Sequence, residues 1–190
     1  AQVQHEYLIE QLQFTGAETV SGGAYKSKLA LNHPCKELIW VVQDSGATAA
    51  PTAYKDVSTA KLQLNGQDRF SERAGAYFNL VQPYQHHTSI PSDGVYVYSF
   101  ALNPEQHQPS GTVNMSRIDN ATLQLTVQAG GGSLKVFAVN YNVLRIMAGI
   151  KECIFYINLC QTVSCIISFA ITYYEKQCKL ARDQFAMISI

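Results

Sequence analysis

Between residues 122 and 128 the chain reads Thr-Leu-Gln-Leu-Thr-Val-Gln, apolar and polar side chains taking strict turns. Successive side chains of an extended strand point to opposite faces, so this stretch specifies a strand with one buried and one wet face. The same period recurs at Lys61-Leu62-Gln63-Leu64-Asn65, which runs into the turn pair Asn65-Gly66. Val95 to Phe100 is β-branched and aromatic and is opened by Asp93-Gly94. Three glycines at 130–132 precede a nearly continuous strand pattern from Leu134 to Met147, and Tyr7–Phe14, Lys26–Leu31 and Leu38–Val42 supply three more strands. Trp40 lies within an apolar run, which assigns it to the core.

One segment departs from period two. Ala74, Tyr77, Phe78 and Val81 fall at helical spacing after Ser71, a suitable cap, and Pro83 is expected to stop that helix. Seven or eight strands and one short inserted helix predict an all-β, antiparallel sandwich. Jelly rolls, immunoglobulin-like domains and Greek-key barrels all satisfy that pattern.

Charge narrows the partners. The 190 residues carry 14 basic and 14 acidic side chains, with no Lys/Arg run of the kind that tracks phosphates, so no nucleic-acid partner is expected. The chain begins at Ala1 and its first methionine is Met115, so we expect a processed N-terminus or the lower end of a longer polypeptide, with no secretory signal in view.

Reactive residues form no catalytic pattern. Cys35 stands apart from Cys153, Cys160, Cys165 and Cys178, and no C-x-x-C pair occurs, so free thiols are expected. Cys35 with His33 imitates a nucleophile and base, but Pro34 intervenes and no oxyanion signature accompanies them. His5, His33, His86, His87 and His107 lack the His-x-His chelate of metal-binding sandwiches. The adjacent pair His86-His87 would point to opposite sides if extended, so surface or hydrogen-bonding roles are expected. No catalytic residue, metal or cofactor is expected. Two sequons, Asn114-Met115-Ser116 and Asn120-Ala121-Thr122, are weak glycosylation candidates at Asn114 and Asn120. Asp68, Arg69, Glu72 and Arg73 place two acids and two arginines near the expected helix start, where an intersubunit ion-pair network and a solvated loop both fit.

The final forty residues differ in kind. From Cys153 to Tyr174 no charged side chain occurs, a span long enough to cross a bilayer as a helix. Asn158, Gln161, Thr162, Ser164 and Ser168 interrupt it. An interfacial or poorly ordered appendage fits this tail at least as well, and direct membrane contact through 153–174 stays open.

The succession LNGQDRFSERAGAYFNLVQPYQHHTSIP (64–91), VYVYSFALNPEQHQPSGTVNMSRIDNATL (95–123) and VFAVNYNVLRIMAGI (136–150) resembles the major capsid proteins of the nucleocytoplasmic large DNA viruses. That group includes phycodnaviruses, iridoviruses and mimiviruses. HEYLIEQLQFTGAET (5–19) and NHPCKELIWVVQ (32–43) look like the start of that family's second jelly roll, and the resemblance covers nearly all of residues 3–150. It implies an eight-stranded jelly roll over 1–149, the C-terminal half of a double jelly roll, followed by an atypical apolar tail at 150–190. Readthrough, a frameshift or a degraded gene copy is preferred for that tail over a purposeful anchor.

By the same resemblance, strands B, C, D and E fall near Tyr7–Phe14, Lys26–Leu31, Leu38–Val42 and Lys61–Leu64. G, H and I fall at Val95–Leu102, Arg117–Gln128 and Leu134–Met147, with F between the helix and Asp93-Gly94 or reduced. The implied role is a non-enzymatic shell subunit in a trimeric, pseudo-hexagonal capsomer, contacting neighbouring capsomers and minor capsid proteins and assembled in host cytoplasm. Asp68, Arg69, Glu72, Arg73, Pro109, Ser110, Gly111 and Arg117 become capsomer-contact or structural loop residues. The rival reading is a carbohydrate-binding jelly roll that uses the strand face shared by Tyr96 and Tyr98. A cupin-like metalloenzyme is a third.

Overall fold

The strict alternation at 122–128 becomes a strand, β9, whose Ala121, Leu123, Leu125 and Val127 are buried while the residues between them are half-exposed. A computed structural model describes residues 4–44, 53–128, 130 and 132–147. The tail 150–190, with its apolar run and four cysteines, lies outside the described residues. Ten strands occur among them: β1 (Gln4–Val20), β2 (Gly23–Leu29), β3 (Pro34–Asp44), β4 (Val57–Leu64), β5 (Gln67–Asp68), β6 (Arg73–Ala74), β7 (Val95–Ser99), β8 (Val113–Asn114), β9 (Ala121–Val127) and β10 (Gly132–Met147).

They form two antiparallel sheets in a jelly-roll sandwich. The first runs β1-β10-β3-β7, with β8 added beside β3, and the second runs β2-β9-β4-β5, with β6 also on β4. In the strand letters above, these orders read B-I-D-G and C-H-E-F. F is therefore reduced to β5 and β6, and it precedes the helix instead of following it. The edge is short because the chain must leave β4 at the Asn65-Gly66 turn and return within a few residues to enter the helix.

The helix also differs from expectation. Ser71 caps nothing: β6 intervenes, and the helical segment begins as a π-helical turn at Tyr77–Val81 that continues into α1 (Gln82–His86). Pro83 does not stop it. The Gln82 N–H reaches back five residues to the Tyr77 carbonyl, and Pro83 follows in the first turn of α1, where a missing N–H costs little. Asp68 accordingly lies on β5 and not at a helix N-terminus. Strand G ends at Ser99, C at Leu29, and H begins at Ala121, leaving Arg117 in a 3-10 turn, Met115–Arg117.

The core lies between the sheets, with the helix plugging one side. Fully buried Phe78 meets the Trp40 ring at 5.2 Å, and Trp40 stacks on Tyr96 at 6.2 Å. Tyr96 keeps its hydroxyl bonded by accepting the Val57 N–H at 2.8 Å. Two buried amides hold the helix to β7: Asn79 donates to the carbonyls of Ser92 and Val95, and Gln82 accepts the Ser99 N–H. Gly75 is required here, since a Cβ at that position would lie 1.9 Å from the Val57 carbonyl oxygen. Tyr96 and Tyr98 are thus core residues and offer no exposed platform for sugar stacking.

Candidate functional site

Strand β3 carries Lys36-Glu37 in the middle of an apolar run, and both side chains are buried. A register shift between Val139 and Asn140 opposite Glu37 and Cys35 leaves Lys36 as the extra residue of a β-bulge. Cys35 and Leu38 both belong to the core cluster, so the bulge turns the two charged residues between them away from it, toward the sheet's outer face. Burying charge is costly unless it is paired, and Lys36 is paired. The Lys36 Nζ donates to Glu10 Oε1 of β1 at 2.5 Å, reaches the Gln106 carbonyl at 3.4 Å and lies 5.1 Å from the Tyr141 ring centroid.

What covers these charges is the connection from β7 to β9, residues 100–120. Phe100 and Ala101 both donate backbone N–H groups to the Lys36 carbonyl. The Tyr141 hydroxyl donates to the His107 carbonyl at 3.3 Å, and His107 Nδ1 stands 3.5 Å from Glu10. Burial, with Glu10 and Glu37 nearby, pushes the Tyr141 hydroxyl up to about 12, so it remains a donor through the physiological range. The connection is pinched at its base: Ser110 Oγ accepts the Asn103 N–H at 3.0 Å, and a Cβ on Gly111 would come within 2.8 Å of the Phe100 carbonyl oxygen. Pro109 between them is exposed. Met115, buried, anchors the far end, and Arg117 projects from that turn into solvent.

The two sequon asparagines are both exposed. Asn114 accepts the Ser116 N–H through its side chain, and the Asn120 backbone interlocks with Asn65 through bonds of 2.7 and 3.2 Å.

The four charged residues at 68–73 are exposed along the second sheet's edge. Asp68 accepts from Gln63 at 2.6 Å and from Lys61 at 3.2 Å, which together lower its carboxyl below the usual range. Glu72 accepts from the Thr59 hydroxyl, Arg69 donates its backbone N–H to Leu62, and the Arg73 guanidinium lies over the Tyr77 ring at 5.6 Å. Among the described residues no ion pair joins two of these four to each other. Asp68 is answered by Lys61, while the other three charged groups face outward.

The histidines and Cys35 are placed by hydrogen bonds. His86 Nδ1 lies 2.9 Å from the Leu102 carbonyl, while His87 sits between Glu37 and Glu105, so the adjacent pair diverges. Burial pushes the Cys35 thiol far up, and its S–H donates to the Glu37 carbonyl, which leaves no thiolate for His33 to generate. Sequence reasoning missed Glu10, Lys36, Glu37 and Glu105, and it gave His87 only a surface or hydrogen-bonding role. The available signal was the Lys-Glu pair interrupting the apolar run CKELIWVV, where a surface strand would alternate.

Residues 1–151 match the family described as the large eukaryotic DNA virus major capsid protein. The major capsid protein of Pyramimonas orientalis virus is 53% identical, covering 78% of this chain and 42% of that protein. That of Phaeocystis pouchetii virus is 43% identical, covering 78% and 48%. A chain of the PBCV-1 virus capsid superposes with a TM-score of 0.68 at 38% identity, covering 77% of this chain and 50% of the other. The chain spans about half the length of the curated relatives it matches. With fold and sequence in agreement over nearly the same residues, this chain belongs to the large eukaryotic DNA virus major capsid protein family.

Proposed function

We propose that this chain is a structural, non-enzymatic subunit of a large DNA virus shell, working as the second jelly roll of a capsomer protein. The observation that supports this most directly is the joint agreement of sequence and fold with a chain of an assembled virus capsid. A shell subunit works by burying surface against neighbours and needs no reactive group. In this reading three copies, each completed by an upstream jelly roll, form a pseudo-hexagonal capsomer that meets other capsomers and minor capsid proteins. Assembly takes place in host cytoplasm, and the chain resides in the virion.

Two exposed strips supply the lateral contacts. One is Asp68, Arg69, Glu72 and Arg73 at the second sheet's edge; the other is exposed Pro109 and Arg117 with half-buried Ser110 and Gly111 around the β7–β9 connection. Charged side chains that are not mutually neutralised can pair across an interface and set its register.

The test is sedimentation velocity on residues 1–150 alone and on the same segment joined to the upstream half of a relative. The isolated segment should be folded and weakly associated, and the joined protein trimeric. Arg69→Glu with Arg73→Glu should abolish the trimer without changing the melting temperature. Stable trimers of the isolated segment at micromolar concentration would overturn the shared-contact reading. Specific binding on a glycan array would favour the carbohydrate-binding alternative.

A further inference from the structure

Both ring nitrogens of His87 face carboxylates. Nε2 lies 3.1 Å from Glu37 Oε2 on β3, and Nδ1 lies 3.4 Å from Glu105 Oε1 in the β7–β9 connection. The His87 and Glu37 side chains are each 7% exposed, too little for water to mediate freely. Neither Glu37 Oε2 nor His87 Nε2 has a well-aligned hydrogen-bond partner among the described residues, so their 3.1 Å approach is held chiefly by charge. A neutral imidazole carries a single N–H, so one of its nitrogens would turn a lone pair toward a carboxylate. Only the imidazolium donates on both sides.

The ring stands where three elements meet. His87 closes the C-terminal end of α1, its own N–H donating to the Pro83 carbonyl. Thr88 bonds Glu105 Oε1 through both its N–H and its hydroxyl, at 3.1 and 3.2 Å, and His86 holds the Leu102 carbonyl. Other titratable groups border the corner: Lys36 beside Glu37 on β3, Glu10 on β1, Tyr141 on β10 and His107 on the connection. Glu10 and Lys36 answer each other at 2.5 Å, whereas Glu37 and Glu105 converge on His87.

We propose that His87 is a proton-operated latch: charged, it ties the β7–β9 connection and the end of α1 to the outer face of the first sheet, and neutral, it lets Glu105 and the connection go. Burial alone works against a charged ring, but bonding and attraction from Glu37, then Glu105, outweigh it and hold the His87 pKa above the ordinary value. A folded-state pKa raised in this way contributes stability that is fully present below the unfolded value of about 6.5. That contribution is lost as pH rises through the folded value, so the connection loosens on the alkaline side and not in acid.

The experiment uses the full 190-residue chain, with histidine-labelled NMR and hydrogen exchange followed from about pH 5 to about pH 9. His87 should titrate above the ordinary histidine value. Protection of residues 102–110, corrected for the intrinsic exchange rate, should fall along the same curve, by up to about tenfold per pH unit. Glu105→Gln should move that curve to lower pH, and His5→Gln, at an exposed position on β1, should leave it in place. His87→Gln should flatten it; should that variant fail to fold, the Glu105→Gln shift carries the test. A His87 that titrates at or below the ordinary value, or a pH-dependent protection that survives His87→Gln, would overturn the latch.

Discussion

The two sheets of this sandwich are built on the same principle and finished differently. In the second sheet β9 alternates buried and half-exposed residues along its whole length, and its outer face is polar and open, with Lys26 and Gln124 paired in register. In the first sheet β3 loses the alternation: Cys35, Lys36, Glu37 and Leu38 are buried in succession because the bulge and the β7–β9 connection enclose the outer face as well. The lesson is that outer-face residues of like type have unlike roles. A lysine facing out of one sheet is solvated, and a lysine facing out of the other is the centre of a buried ionic cluster.

Substitutions on the two sheets test that contrast. The largest effect belongs to the interior that both share: Trp40→Ala should destabilise by about 3–5 kcal/mol in a denaturant titration, since the ring bridges the first sheet and the helix. Next comes a matched pair. Lys36→Met should cost about 3 kcal/mol, because Glu10 is left buried without its ammonium, and adding Glu10→Leu should recover most of the loss. The same change at exposed Lys26 should stay within about 0.5 kcal/mol. Equal costs at the two lysines would erase the distinction between the faces.

Smaller changes sharpen it. Gly75→Ala should cost about 1–3 kcal/mol by forcing β4 and the start of the helix apart, visible as a lower Tm. Tyr141→Phe removes one hydrogen bond that holds the connection down and should cost about 1 kcal/mol, with hydrogen exchange rising at residues near His107 before any global change. Exchange unchanged there would mean that the connection is held by its pinched base at Asn103 and Ser110 and not by its contacts with the sheet.

Legibility followed the same division. The seven longer strands were readable because each carries its own period of two or an apolar run ended by turn residues, and β10 was read nearly to the residue. The helix was readable as present but not as placed. Its start depends on β6 pairing with β4, and its passage through Pro83 depends on the π-turn before it, neither of which helical spacing encodes. At the site, the eight loop residues named from the sequence were found mostly exposed, whereas the buried cluster of Glu10, Lys36, Glu37, His87 and Glu105 was not anticipated. Its members come from four parts of the chain, and each alone looks like a surface residue.

The sequence by itself determined the all-β class and, through the resemblance of its ordered motifs, the family, because strand patterning and turn chemistry are local and those motifs span most of the described residues. Only the tertiary structure decided which of two outward lysines is buried, where the F edge lies, and that one histidine stands between two carboxylates. Those outcomes depend on a one-residue bulge and on a connection folding back over a sheet, and such long-range contacts leave no periodic trace in the residues that make them.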